Sequence, residues 1–285
     1  MSEAAIVSSY AHCQDAVAAV KRGASRYLTN FFAERSKVET WIANGDLGIF
    51  SLGEACIFAR EDRFFTHLYF CAGSQDGLAR ILGAYTSGIN RTLTVDLLGS
   101  ADQVRELGRY FADHGFSDYA NLKRMAKVCA RNQYGNTSKE EDVSFALECD
   151  AARIQAMMEE AFDPLKENLP YETEVLMAIQ DQQVLSVKDG RSVRGILFFE
   201  NVGMSSTLRY WLVAPEARDG GVGGRLIREY FRTSPEARRF LLWVLDDNEG
   251  AIRKYEHYGY KVDGLCDRVM VRKAEGAVQG KPTID

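Results

Sequence analysis

The sequence predicts a mixed α/β fold in two halves of similar build, and three observations carry the prediction. Strand and helix signals alternate through the second half in the order β-α-α-β-β-β-α-β-α-β-β. The first half runs through a similar order. The second half also sets a glycine-rich turn, Arg218-Asp-Gly-Gly-Val-Gly-Gly224, between an apolar strand and an amphipathic helix. Such a turn is a ready pyrophosphate site. Several backbone N–H groups converge there, the helix dipole favours anions, and missing Cβ atoms let a ligand approach closely.

In chain order, helices are expected over 14–31 and 37–44, then strands over 47–52, 55–60 and 64–72. A helix over 77–86, a strand over 92–98, a helix over 101–114 and closing strands after Phe116 complete the first half. The second half opens with an alternating strand at 143–148. Asp150 is then placed to cap a helix whose apolar face is Ile154, Met157, Met158, Ala161 and Phe162. Pro164 and Pro170 bracket an irregular passage before a helix over 172–179. Strands at 184–188 and 193–200 flank Asp189-Gly190, a hairpin signal. A turn near Gly203 leads to the strand that ends at Val213, stopped by Pro215. Beyond the glycine turn, Leu226, Ile227, Tyr230 and Phe231 form the buried face of a helix. The unbroken apolar run 240–245 is a fully buried strand. A helix over 248–258 follows, strands over 260–272 close the half, and the tail from Ala274 is expected to be loose.

A chain of 285 residues suits one large domain or two of about 140. The net charge is −5, with 16 basic and 17 acidic residues in 1–142 and 19 and 23 in 143–285. That balance gives no reason to expect nucleic acid as a partner. No apolar run approaches the roughly 20 residues of a bilayer span. Met1-Ser-Glu-Ala-Ala-Ile6 lacks the basic region and apolar run of a signal peptide. A cytoplasmic protein without membrane contact is expected. The six cysteines show no Cys-x-x-Cys spacing and read as reduced, mostly buried thiols. With four scattered histidines, no metal site is expected.

The ends of the two halves can be laid side by side. With Gly115 set on Gly259, an offset of 144, Phe111 falls on Tyr255 and Arg124 on Arg268. The polar segment 131–142 is the expected linker between domains at 1–130 and 143–273, with 274–285 as tail.

Two patterns carry a family resemblance. Arg218, Gly221 and Gly223, with Val213 and Pro215 upstream, meet an Arg/Gln-x-x-Gly-x-Gly/Ala cofactor motif. Asn248, Ala251, Tyr255, Gly259 and Tyr260 meet a later Asn-x-x-Ala-x-x-x-Tyr-x-x-x-Gly-aromatic pattern, 24 residues separating Gly224 from Asn248. Residues 143–272 thus resemble the GCN5-related N-acetyltransferase (GNAT) superfamily. The resemblance implies α+β domains, each a mixed, mostly antiparallel twisted sheet flanked by helices. It also implies a bulge at 211–213 that splays this strand from its neighbour at 240–245, leaving a cleft for acyl-CoA. The first half looks like a degenerate copy. It has only the isolated Gly73 and Gly77 where the motif would stand, and Phe111 where the second half has Tyr255.

Acyl transfer from a thioester to an amine needs a held cofactor, an oriented acceptor, proton removal and a stabilised oxyanion. The amides of Asp219, Gly220, Gly221, Val222, Gly223 and Gly224 are placed to bind the pyrophosphate, with charge from Arg218 and Arg225. A tight turn with no ligand is the plainer alternative, and Arg228 and Arg232 read as a solvated helix face. By resemblance, the backbone of Leu212 and Val213 pairs with the pantetheine arm of acetyl-CoA. An N–H there points at the thioester oxygen, a donor worth about 3 kcal/mol in the transition state. Tyr255, by resemblance, protonates the leaving thiolate, the alternative being a core tyrosine packed with Ala251 and Tyr258. Asn248 caps its helix or bonds the pantetheine arm. No acid lies in 208–213, so Glu200 on the preceding strand is the candidate base, with Asp246 as runner-up. His257 follows Tyr255 by two positions and points elsewhere.

The expected activity is N-acetyl transfer from acetyl-CoA to an amine, by direct attack through a tetrahedral intermediate. The acceptor is a small-molecule or peptide amine, and the chain acts as a monomer or homodimer. A non-catalytic acyl-CoA-binding regulatory module would keep the loop without the chemistry. A transferase drawing on aminoacyl-tRNA fits less well, given the intact pyrophosphate loop and acidic balance.

Overall fold

The computed structural model describes residues 4–135 and 137–274. The expected tail beyond 274, and Asn136 of the expected linker, lie outside the described residues. By contacts the chain divides into two units, one holding residues up to Asn121 and again from Cys266, the other Leu122–Leu265. The polar segment 131–142 falls inside the second unit.

The first unit contains β1 (Ala5–Ile6), α1 (Tyr10–Arg22), β2 (Leu28–Thr29), α2 (Arg35–Asn44), β3 (Leu47–Leu52), β4 (Ala55–Glu61) and β5 (Thr66–Ala72). It continues with α3 (Gln75–Thr86), β6 (Leu93–Ser100), α4 (Ala101–Ala112) and the start of β7 (Ser117–Val128). A helix reaching residue 31 was expected, yet α1 stops at Gly23 and residues 28–29 become a strand. Gly23 is a poor helix interior residue, and the edge of β5 offers the next residues strand hydrogen bonds instead. The strands lie in the order β1-β3-β4-β5-β6. All these pairs are antiparallel except β5 with β6, which run parallel and pair only through Thr66–Leu93 and His67–Thr94. Ile57, Leu68 and Phe70 on one face join residues of α3 and α4 in a core. Cys56, Phe58, Tyr69 and Cys71 on the other face join residues of α1 and α2. Burial of both faces explains the unbroken apolar runs of β4 and β5.

The second unit begins with the end of β7. It continues with β8 (Val143–Phe145), α5 (Ala151–Ala161), α6 (Pro164–Glu167), α7 (Glu172–Gln180), β9 (Val184–Asp189), β10 (Ser192–Val202) and β11 (Ser205–Val213). Then come α8 (Val222–Thr233), β12 (Arg239–Leu245), α9 (Glu249–His257) and the start of β13 (Lys261–Arg272). Asp150 does not cap α5 through its side chain; it accepts from the Leu147 amide at 2.9 Å and pairs with Lys188. The strand order is β7-β12-β11-β10-β9-β8. β7 lies antiparallel to β12 from Leu122–Leu245 to Val128–Arg239. β11 and β12 are parallel and the remaining pairs antiparallel, giving the mixed, mostly antiparallel sheet expected. Helix α8 packs on one face with Leu197, Phe199, Leu242 and Met125. Helices α5 and α7 pack on the other with Ile196, Phe198 and Tyr210.

β13 is one strand where two were expected, with Lys261–Leu265 in the second unit and Cys266–Arg272 in the first. The order β5, α3, β6, α4, β7 repeats as β11, α8, β12, α9, β13. Paired ions repeat with it. Arg124 on β7 holds Asp263 on β13 at 2.7 Å in the second unit, and Arg268 on β13 holds Asp118 on β7 at 2.5 Å in the first. No helix among the described residues is long and apolar enough to cross a membrane.

Candidate active site

The turn after β11 is built on two left-handed residues, Asp219 at φ +67° and Gly221 at φ +71°. Gly221 stands as N-cap of α8 and offers the helix no side-chain acceptor. The first amides of α8, at Val222, Gly223 and Gly224, have no carbonyl one turn back, so their N–H groups point together out of the helix start. With the dipole behind them, they form a cradle for an anion.

Glycine at 223 is also demanded from below. A Cβ there would stand 3.2 Å from the Trp211 indole, which lies under the turn with its Nε1 buried and unpartnered. Arg218 sits exposed at the rim. Arg225 turns back, donating from Nη1 to the Gly220 carbonyl at 2.7 Å and facing Asp142 at 2.8 Å, so it braces the turn. Arg228 pairs with Glu140 and Arg232 with Glu229.

β11 and β12 pair from Ser205–Arg239 to Leu208–Leu242 and then part. The register with β10 shifts between Phe198, opposite Tyr210, and Phe199, opposite Leu208, leaving Arg209 as the extra residue of a bulge. The bulge was expected at 211–213 and lies two residues earlier, where the strand leaves its parallel neighbour. Leu212 and Val213 therefore lie on an edge that β12 does not cover.

Tyr255 on α9 tilts against Trp211 at 5.8 Å and Tyr260 at 6.0 Å between ring centres. Burial, and then the charge of Glu167, push its hydroxyl up to about 12, so it keeps its proton at neutral pH. Asn248 accepts from the Ala251 amide at 3.1 Å and caps α9. Asp246 and His257 are exposed.

On the opposite face of β11, Tyr210 donates to the carbonyls of Glu167 at 3.1 Å and Asn168 at 2.9 Å. Asn168 is itself left-handed, at φ +45°. These bonds tie the end of α6 to the bulged strand and bring a further carboxylate, Glu167, toward the site. Glu167 is half-buried. Burial holds it above the usual carboxylate range, with Asp163 adding to the rise and Lys166 and Arg209 opposing it. Glu200, the expected base, faces Arg209 at 3.6 Å. Asp163-Pro164 marks a helix start, and Asp163 does accept from the Leu165 amide at 3.1 Å, but nothing in that pair singles out Glu167. Among the described residues no group of His, Cys, Asp or Glu is placed to hold a metal ion.

Residues 154–260 match the model of the Acetyltransferase (GNAT) family. That span contains the cradle, both splayed strands, Glu167 and Tyr255. No curated protein matches the sequence. The chain is similar in fold to a GCN5-related N-acetyltransferase from Sphaerobacter thermophilus, with 16% identity and a TM-score of 0.57 over 80% of this chain and 79% of that one. It is also similar to an acetyltransferase of the GNAT family from Colwellia psychrerythraea, with 10% identity and a TM-score of 0.54 over 94% and 98%. A tandem GNAT protein from the clavulanic acid biosynthesis pathway shares 12% identity, with a TM-score of 0.52 over 79% and 80%. At such identities the likeness shows the fold. With the family match, it supports acyl transfer in general.

Proposed function

We propose that the chain is an acetyl-CoA-dependent N-acetyltransferase acting on an amine. Its active site lies in the second unit, and its first half is a degenerate copy of the same fold. The catalytic domain was expected over 143–273; the compact unit that holds the site is 122–265, which gains residues 122–128 as a strand and leaves 266–273 with the first unit. One observation carries this reading: the uncapped start of α8, the open edge of β11 and the proton-bearing Tyr255 all meet at the end of β11.

The donor set suits a ligand with a diphosphate at one end and an amide-bearing arm. The amides of 219–224 would hold the diphosphate, with Arg218 at the rim. Leu212 and Val213 would pair with the arm. When bound, acetyl-CoA supplies an acyl carbon activated by a thiol leaving group. A free thiol has a pKa near 8.5, so the neutral Tyr255 hydroxyl needs to give the sulfur only modest help. Glu167, with its raised proton affinity, takes the proton of the incoming amine. Asp163, Glu167 and Glu200 outnumber Lys166 and Arg209 around the bulge, and that surplus of negative charge favours an amine that arrives as a cation.

Free-thiol release from acetyl-CoA across a panel of amines tests the reading. Turnover is expected in the wild type, with binding lost in Gly221→Asp. Tyr255→Phe should lower kcat on the order of 10²-fold while leaving acetyl-CoA affinity nearly unchanged. Activity surviving Gly221→Asp would place the cofactor elsewhere. Binding without turnover on any amine would assign a non-catalytic acyl-CoA-binding module, a reading that the engagement of Glu200 by Arg209 favours.

A further inference from the structure

In the first unit β5, α3 and β6 stand where β11, α8 and β12 stand in the second. Both trios begin with a parallel pair that parts after a few residues. The second unit leaves its strand edge and its helix start open. The first unit fills both with its own chain.

The strand gap is filled from β2. Leu28 and Thr29 pair antiparallel with Ala72 and Cys71, along β5 beyond its last pairing with β6. The next residue, Asn30, is 4% exposed and reaches between the strands. Its Nδ2 donates to the Leu68 carbonyl on β5 at 3.1 Å and to the Asp96 carbonyl on β6 at 3.0 Å. Its Oδ1 accepts from the Phe70 amide at 2.7 Å. One primary amide therefore joins the two strands just past their last pair. Flanking contacts hold it there: Thr29 donates from Oγ1 to the Phe70 carbonyl at 2.8 Å, and Tyr27 from Oη to Cys71 Sγ at 3.3 Å. Arg26 grips Glu106 with two bonds of 2.8 Å.

The helix start is filled from the β3–β4 turn. Ser74 caps α3 by accepting from the Gly77 amide at 3.0 Å, and it donates its hydroxyl to Glu54 at 2.5 Å. Arg80 faces the same carboxylate at 3.4 Å. A Cβ on Gly77 would lie 3.2 Å from Glu54 Oε1. The negative charge that a helix start favours is thus supplied internally.

We propose that residues 28–30 and Glu54 are a built-in occupant of the first unit. A strand segment and a primary amide take the place of an amide-bearing cofactor arm, and a carboxylate takes the place of a diphosphate. The first unit is permanently closed to acyl-CoA, and the chain binds one equivalent. An entering ligand would have to break the buried bonds at Leu68 and Phe70 and the partly buried one at Asp96 together, and leave unsatisfied whatever it failed to replace. The count of one rests on the acetyl-CoA reading of the second unit; the closure of the first does not.

Hydrogen–deuterium exchange of the full chain, with and without acetyl-CoA, separates the two. Peptides over 27–31 and 68–72 should exchange slowly in the free protein and show no change with acetyl-CoA, while protection appears over 218–226. Equilibrium dialysis should give one acetyl-CoA per chain and none in Gly221→Asp. Asn30→Ala should speed exchange over 68–72 by about tenfold or more, leaving acetyl-CoA affinity unaltered. Rapid exchange over 27–31 in the free protein would overturn the proposal. So would protection gained over 68–77, or a bound equivalent that survives Gly221→Asp. If acetyl-CoA protects nothing, the reading of the second unit fails; slow exchange over 27–31 then still supports the closure, and rapid exchange still sinks it.

Discussion

Glu167 and Glu200 differ in the company they keep. Glu200 faces the Arg209 guanidinium at 3.6 Å, whereas Glu167 sits half-buried beside the bulge, where burial raises its proton affinity and Asp163 adds to it. A general base must be deprotonated to act. If Glu167 is that base, kcat/KM rises with pH through a value above the usual carboxylate range and is lost below it. Glu167→Gln should remove that acid limb and lower kcat on the order of 10²-fold, while Glu200→Gln keeps the limb. A pH–rate profile in which only Glu200→Gln flattens the limb would return the role to Glu200. The two kinds of residue at this site were unequally legible. Gly221 announces itself, because a left-handed turn before a helix is a requirement of the residue type. Glu167 does not, because it is placed by a hydroxyl on Tyr210, 43 residues along the chain. Asn30 was hidden for a similar reason: helical periodicity runs through residues 27–31, and only the edge of β5 draws Leu28 and Thr29 into a strand that sets Asn30 beyond it.

Among the elements, the seating of α8 on β10 sets the cradle. Gly195 pairs with Val213 and Val187, and a Cβ there would meet Val222 Cγ1 at 2.7 Å and the Leu212 carbonyl at 3.2 Å. The first turn of α8 therefore rests on bare backbone. Gly195→Ala should cost about 1–3 kcal/mol by overpacking and push the cradle off the sheet. Gly190 makes the contrast. It has φ +60° and open space around it, so Gly190→Ala should cost about 1–2 kcal/mol of backbone strain and leave the cradle in place. Thermal melts alone would show both variants destabilised. An acetyl-CoA titration should weaken only with Gly195→Ala; equal weakening in both would mean that the seating of α8 does not control the site. Element identity was readable in the sequence wherever one face had a period, as in β3 and α8. Boundaries were less so: β13 runs unbroken through Gly264 where two strands were expected.

On the scale of the whole chain, position in sequence and membership of a core diverge. Residues 122–128 precede the polar segment 131–142, yet they lie along β12 through seven paired positions. Met125 is fully buried there, in the core that also holds Leu197, Leu226 and Leu242. No local pattern could have shown this, because β7 is contiguous with the first half and its partner is more than a hundred residues away. If residues 143–273 were self-sufficient, a cavity at position 125 would weaken the first unit alone. The observed packing requires the opposite. Met125→Ala should cost about 2–5 kcal/mol, and the loss should appear as faster amide exchange in β12 and α8 while β4 and β5 keep their protection. Acetyl-CoA that binds only the folded second unit should restore part of that protection by mass action, to an extent that grows with its concentration. Faster exchange confined to β3–β6 would instead assign β7 to the first unit and remove it from the support of the cradle.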